Sequence, residues 1–341
     1  MEYTRLGRSG LKISKIVLGA MSFGDPARSM NGSWVQSPEE ALPILKYAYE
    51  KGINTWDTAD FYGQGSSEEI IGRAIKEYAI PRQKLVILTK CYYGVSDELF
   101  ADGPRDPLRA MVNDGFMVNR VGLSRKHIFD AVEASVRRLG TYIDVLQIHR
   151  LDKDTPPEEI MRALNDVIES GKVRYIGASS MAAWEFQHLN NIAEKHGWHT
   201  FISMQNYHNL LYREEEREMH PYCSHAGIGL IPWSPLAQGI LARPYNTSTK
   251  RSESDPFMGL LHSPEDKPTV DAVQRVAEKK GISMAQVATA WSLGKGVNPI
   301  LGLQSEKRID EAVGSVGVKL SEEEVRELEA GYKPKSKPPA W

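Results

Sequence analysis

The fold class that this sequence predicts is α/β, a (β/α)8 TIM barrel with an N-terminal β-hairpin and long loops on its C-terminal face. Three observations predict it. Eight short, continuously apolar runs recur at Lys15 to Gly19, Ile53 to Asp57, Leu85 to Lys90, Asp144 to His149, Val173 to Ala178, Phe201 to Gln205, Ile228 to Trp233 and Pro299 to Leu303. Capped helical segments lie between them, and that alternation implies a parallel sheet buried on both faces, which eight units can close into a barrel. Three stretches longer than ordinary connections, Asp25 to Gln36, Tyr92 to Leu123 and Ala237 to Pro268, follow the first, third and seventh runs, where barrel enzymes carry their functional loops.

Taken in order, the opening EYTRLGRSGLKISKIVLG alternates short apolar runs around Gly7 and Gly10, which reads as a β-hairpin leading into the first strand. Ser37-Pro38-Glu39-Glu40 supplies an N-cap, a proline for the first helical position and a capping-box carboxylate. Leu42, Leu45 and Tyr49 follow at helical spacing before Gly52. Thr155-Pro156-Pro157-Glu158 repeats that grammar, with Ile160, Met161, Leu164 and Ile168 as the apolar stripe and Gly171 as the stop. Ser124 to Gly140 makes a third helix, carrying Ile128, Val132, Val136 and Leu139. No break in composition marks a boundary, so residues 1–341 read as a single domain, with the Pro- and Lys-rich end, KPKSKPPAW, extended or frayed.

Composition narrows the function classes. A hydrophobic fraction of 41% and a charged fraction of 25% are those of a soluble globular protein. With Lys+Arg at 42 and Asp+Glu at 44, the surplus of positive charge expected of a nucleic-acid binder is missing. Two cysteines, Cys91 and Cys223, make no disulfide framework and suit a reducing compartment. No apolar run approaches the length of a membrane span and no signal-like segment opens the chain, so a cytoplasmic location without nucleic-acid or membrane partners is expected.

Several of the predicted strands end in an ionisable residue: Asp57 after INTW, Lys90 after LVILT, His149 after DVLQI. Singly, each has a bland reading, as a strand-closing carboxylate, a snorkelling lysine or a core histidine. In a barrel, however, those strand ends converge on one mouth. Tyr62 lies five residues past Asp57 on a tight loop that Gly63 and Gly65 bend back over the strand ends. A phenol with a pKa near ~10 is a poor acid at neutral pH, but a neighbouring ammonium favours the phenolate and lowers that value. Lys90 can be that ammonium, Asp57 can hold its charge, and His149 can orient a carbonyl oxygen.

DTADFYG, LTKC, LQIHRLD and GKVRYIGASS, in that order and along nearly the whole chain, resemble the motifs of the aldo-keto reductase superfamily, most of all its branch of aryl-alcohol dehydrogenases and versiconal hemiacetal acetate reductase. The resemblance implies an enzyme in which hydride passes from NADPH, bound across the barrel mouth, to a small-molecule carbonyl. Tyr62 is then the acid, Lys90 and Asp57 its tuning pair and His149 the substrate-orienting group. Residue by residue, it carries cofactor roles onto Gly19, Met21 and Asp57. Ser179 and Gln205 would hold the nicotinamide carboxamide with Ser180, where an asparagine is usual. Trp233 would stack on the ring, a role that needs a flat π-face. Ser234, Leu236, Gln238 and Gly239 would follow the pyrophosphate. Gly302 opens a turn into a helix whose N-terminal amides suit a phosphate, with Gln304, Arg308 and Glu311 on the adenosine half and Arg308 at the 2′-phosphate. Ala312 replaces a family asparagine there.

Phe100, Met111, Phe116 and Met117 suggest a partly apolar lining and hence a hydrophobic, aromatic aldehyde or ketone. Because the superfamily also includes potassium-channel β-type proteins, a cofactor-binding regulatory subunit is the competing expectation. GQGSSEE lacks the third glycine and the βαβ setting of a dinucleotide motif. His196 with His199 and His220 with His225 lack acidic or cysteine companions at zinc spacing; they are expected on the surface, and no metal site is expected.

Overall fold

Strand β1 (Tyr3–Arg5) pairs antiparallel with β2 (Lys12–Ser14), so the chain opens on the expected hairpin. Leu6 and Ile13 from it are fully buried against Val17, Val86, Leu88, Val145 and Ile231 in the barrel interior. The hairpin thus plugs the bottom of the barrel. The computed structural model describes residues 1–28, 34–100, 109–247 and 261–336; parts of the three long loops and the end of the Pro-rich tail lie outside the described residues.

Eight parallel strands follow, β3 (Val17–Gly19), β4 (Thr55–Asp57), β5 (Val86–Cys91), β6 (Ile143–Ile148), β7 (Val173–Ser179), β8 (Phe201–Gln205), β9 (Gly229–Leu230) and β10 (Ile300–Leu301), in the order β10-β3-β4-β5-β6-β7-β8-β9. Two backbone bonds, Asn298 N to Leu230 O at 2.9 Å and Ile300 N to Pro232 O at 2.9 Å, join the free edges of that order. The sheet is therefore a closed (β/α)8 barrel. Every position of β5 and β6 is buried, as strands covered on both faces require.

Each of the eight expected strands exists, but β3, β4, β9 and β10 are shorter than expected. Past β9 the chain still bonds to β8 on alternate residues, Ile231 N to Met204 O at 3.0 Å and Trp233 N to Asn206 O at 2.8 Å, while Pro232 between them has no N–H to give to the β10 edge. His149 falls one residue beyond β6, and Ser179 belongs to β7.

Helices α1 (Pro38–Glu50), α2 (Ser66–Glu77), α3 (Arg125–Leu139), α4 (Pro157–Glu169), α5 (Ala183–His196) and α6 (Met219–Ala226) connect the strands up to β9. Helices α7 (Lys267–Lys280) and α8 (Met284–Gly294) lead to β10, and α9 (Glu306–Ser315) and α10 (Glu322–Glu329) follow it. Ser124 caps α3 by accepting His127 N, and Gly140 ends that helix at φ 67°. Helix α4 starts one residue later than the Thr155 grammar implies: Pro156 occupies the cap position, while the Thr155 hydroxyl donates to Asp152 Oδ2 at 2.7 Å. No helix among the described residues is long and apolar enough to cross a membrane.

Candidate active site

Asp57 is the last residue of β4 and Lys90 lies one residue before the end of β5, and both side chains are buried. Lys90 Nζ donates to Asp57 Oδ2 at 2.6 Å, to Thr58 O at 2.8 Å and to Tyr62 Oη at 3.3 Å. An ammonium has three hydrogens, and all are placed. Burial pulls Lys90 toward losing its proton, but the Asp57 carboxylate and the Tyr62 oxygen outweigh it and hold the pKa above the ordinary lysine value.

Tyr62 opens a single 3-10 turn, Tyr62–Gly65, in which Gly63 (φ 55°), Gln64 (φ 51°) and Gly65 (φ 91°) all take left-handed backbone. A side chain on Gly65 would strike Arg138 Cδ at 2.6 Å, so glycine is required there twice over, by conformation and by space. Because Tyr62 accepts from Lys90, the phenol's own hydrogen is left to point elsewhere. The ammonium lowers the Tyr62 pKa as expected, but burial raises it more, and the net value lies above that of an ordinary tyrosine. This corrects the expectation of a net lowering: with the site as it stands, Tyr62 is a neutral phenol.

The His149 ring stands edge-on to Tyr62, with centroids 5.9 Å apart. Burial, then the charges of Lys90 and Arg150, push its pKa well below the ordinary histidine value, so the imidazole is neutral. Its Nδ1 is buried without a partner.

Gln147 was not anticipated. It is fully buried on β6 and donates from Nε2 to Asp57 Oδ1 at 2.9 Å, beside Gln205 Nε2 at 2.8 Å on the same oxygen. Gln205 Nε2 also donates to Gln147 Oε1 at 2.9 Å, so both of its hydrogens are used and only its Oε1 remains for any ligand. A polar residue inside the continuously apolar DVLQI strand was the available signal.

The other singled-out residues fall into two groups along the rim. Ser179 Oγ donates to Gln205 O at 2.8 Å, and Ser180, held at φ 47°, accepts from Trp233 Nε1 at 3.3 Å. Trp233 is half-buried and backed by Tyr207, with centroids 4.6 Å apart. Gly19 ends β3, Met21 is half-buried just past it, and Leu236 stands before Ala237–Ala242, a 3-10 segment. Ser234 (φ 51°) is left-handed, as are the consecutive residues Ala237 (φ 47°), Gln238 (φ 54°) and Gly239 (φ 98°). Gln238 is itself engaged, donating to Ser234 Oγ at 3.0 Å and accepting from His262 Nε2 at 2.6 Å.

In the second group Gly302 is exposed, and Ser305 rather than Gly302 caps α9 by accepting Arg308 N. Arg308 is exposed and donates to Gln304 Oε1 at 2.9 Å; Gln304 donates in turn to Trp34 O at 3.0 Å, and Glu311 is half-buried on the same helix.

The expected apolar lining is corrected. Met117 is buried under Gly94 and Met111 is 42% exposed, whereas Phe61, Tyr92 and Tyr93 form an aromatic wall, Tyr93 lying 5.0 Å from both Phe61 and His149. The side chain of Phe100 lies outside the described residues. His196, His199 and His225 are exposed as expected, but His220 is half-buried against His208 at 4.5 Å, and burial pushes its pKa down to about 3. Among the described residues no group of three His, Cys, Asp or Glu side chains could hold a metal ion.

Comparison with known proteins agrees with this architecture. Residues 15–333 match the model of the Aldo/keto reductase family. The chain is similar to versiconal hemiacetal acetate reductase of Aspergillus parasiticus, 60% identical over 98% of each chain. It is also similar to a Schizosaccharomyces pombe protein named as a candidate aryl-alcohol dehydrogenase, 53% identical over 97% of this chain and 96% of that one. An aldo-keto reductase of Fusarium vanettenii is 46% identical over 98% and 92%. The family typically uses nicotinamide cofactors, and these relatives support carbonyl reduction. The chain belongs to the aldo/keto reductase family and is an oxidoreductase.

Proposed function

We propose that this protein is an NADPH-dependent reductase of aromatic or other hydrophobic aldehydes and ketones, a single domain in which Tyr62 donates the proton. The observation that carries the reading is the placement of Lys90: one ammonium held by Asp57 and donating to the oxygen of Tyr62. A phenol so placed gives its hydrogen to a carbonyl oxygen, and the ammonium steadies the phenolate left behind. Asp57 keeps Lys90 charged, while Gln147 and Gln205 hold that carboxylate still. A neutral His149 has an N–H to offer the same oxygen without competing for the proton.

The residues present fit a nicotinamide dinucleotide. Trp233 is a half-buried aromatic at the rim, Gln205 retains an acceptor for a carboxamide, and the left-handed residues Ala237, Gln238 and Gly239 turn backbone in a manner suited to a pyrophosphate. Ser179, Ser180, Gly19, Met21 and Leu236 would line the nicotinamide half. Gly302, Gln304, Arg308 and Glu311 would hold the adenosine half, and an exposed guanidinium at Arg308 supports NADPH over NADH. When bound, the reduced nicotinamide supplies the hydrogen and electron pair that reach the carbonyl carbon. The wall of Phe61, Tyr92 and Tyr93 supports a flat, aromatic substrate. Two buried, unpaired cysteines support a cytoplasmic location.

The test is NADPH consumption with a panel of aryl aldehydes, wild type against Tyr62→Phe, with cofactor binding followed separately. Wild type is expected to turn over, and the variant to lose about 10²–10⁴-fold in kcat while still binding NADPH. Equal, tight NADPH binding with no carbonyl compound reduced faster by wild type would favour a binding role instead. Small sugars reduced far more efficiently than aryl aldehydes would overturn the substrate class.

A further inference from the structure

Arg150 follows His149 at the C-terminal end of β6 and is unlike three other half-buried arginines, Arg82, Arg138 and Arg213. Arg82, Arg138 and Arg213 each hold a carboxylate, Asp144 at 2.6 Å, Glu68 at 2.7 Å and Glu216 at 2.7 Å. Arg150 forms no ion pair with any described residue; its one hydrogen bond runs from a terminal nitrogen to the backbone carbonyl of His149 at 2.6 Å. Its Nε is buried with no partner at all. The nearby Asp152 does not serve it, since that carboxylate accepts Leu123 N at 2.7 Å, the Thr155 hydroxyl at 2.7 Å and Asp154 N at 3.0 Å.

Partial burial of a guanidinium without a counter-charge costs free energy, and a fold tolerates it where a ligand supplies the missing anion. The charges around it sharpen the point. Asp57 and Lys90 cancel, His149 is neutral and Tyr62 is neutral, so none of these four groups offsets the positive charge of Arg150. Its field reaches the reacting groups, since it helps depress His149 after burial and Lys90. It also acts on Tyr92, whose ring packs edge-on against Tyr93 at 5.1 Å, and Tyr93 packs in turn against His149 at 5.0 Å.

We infer that Arg150 is a specificity-determining residue that pairs with an anionic oxygen, a carboxylate or ionised phenol, carried by the substrate's aromatic ring. This rests on the carbonyl-reductase reading above and goes beyond it by naming the second group that the substrate bears. The ring lies along Phe61 and Tyr93, the carbonyl oxygen meets Tyr62 and His149, and the acidic substituent meets the guanidinium. The forked donor geometry of arginine suits a carboxylate better than an ammonium would.

The experiment compares the 2-, 3- and 4-carboxybenzaldehydes with their methyl esters as substrates of the NADPH-loaded enzyme, in wild type, Arg150→Met and Arg150→Lys. The quantity read is the ratio of kcat/KM for acid over ester, in which general damage to the site cancels. For at least one isomer the wild-type ratio should exceed that of Arg150→Met by roughly 10–100-fold, the worth of one charge-assisted hydrogen-bonded pair. Arg150→Lys should retain part of it. A ratio that does not change in Arg150→Met, with acid and ester falling together, would show that Arg150 acts only through His149 and overturn the inference. So would a wild type indifferent to the acid. Should wild type reduce none of these aldehydes, the carbonyl-reductase reading itself fails. Calorimetric binding of benzoate by wild type and Arg150→Met then decides the anion site by itself, equal affinity or no binding counting against it.

Discussion

Lys90 is fully buried, and the nearest counter-charge that holds its proton is Asp57, 2.6 Å away. Replacing it by methionine leaves a buried carboxylate uncompensated, so Lys90→Met should lose about 3–5 kcal/mol of unfolding free energy in urea as well as activity. The double variant Lys90→Met/Asp57→Leu should recover much of the stability and none of the turnover, which separates the structural role of the pair from its chemical one. The same residues set a pH dependence. Burial raises Tyr62 above its ordinary value of 10.0 and drives His149 well below 6.5. The Tyr62 phenol therefore stays protonated, and the His149 imidazole neutral, throughout the neutral range. A profile of kcat/KM for reduction should be flat there and fall only as the phenol ionises in alkali; a limb centred near 6.5 would contradict the placement of His149.

At the scale of elements, the turn carrying Tyr62 is anchored through α2. Glu68 there is fully buried, accepts from the Thr89 hydroxyl at 2.5 Å and pairs with Arg138 from α3 at 2.7 Å. Beside it Asp60 is buried with Oδ1 unpartnered, and burial, then the Glu68 charge, raises its pKa well above 3.8. A raised carboxyl pKa means the folded state holds a proton that the unfolded chain has released, so stability falls as pH rises above that value. Asp60→Asn keeps the neutral form. It should melt about 2–4 °C above wild type at neutral pH, with the gap narrowing as pH falls toward 3.8, followed by thermal denaturation across pH. An unchanged gap at every pH would show that Asp60 is not the group titrating.

Across the whole molecule the two ends of the barrel differ: the hairpin seals the bottom, and Asp57, Lys90, Tyr62 and His149 gather at the top. Leu6 is fully buried in that seal, on the end opposite Tyr62, and Leu6→Ala should cost about 2–5 kcal/mol in denaturant with KM for substrate unchanged. The eight strands, the long loops and the convergence of Asp57, Lys90 and His149 were legible in the sequence because periodicity and caps are local properties, and barrel topology brings strand ends to one mouth. Local signals did not reveal the Gln147 clamp on Asp57 or the unpaired state of Arg150. Each of these depends on which atoms from distant segments fill the space around a side chain. The sign of the Tyr62 shift is the plainest case. Sequence determined that an ammonium could lie beside the phenol, but only tertiary structure decided how much water was removed from it, and desolvation outweighs the charge.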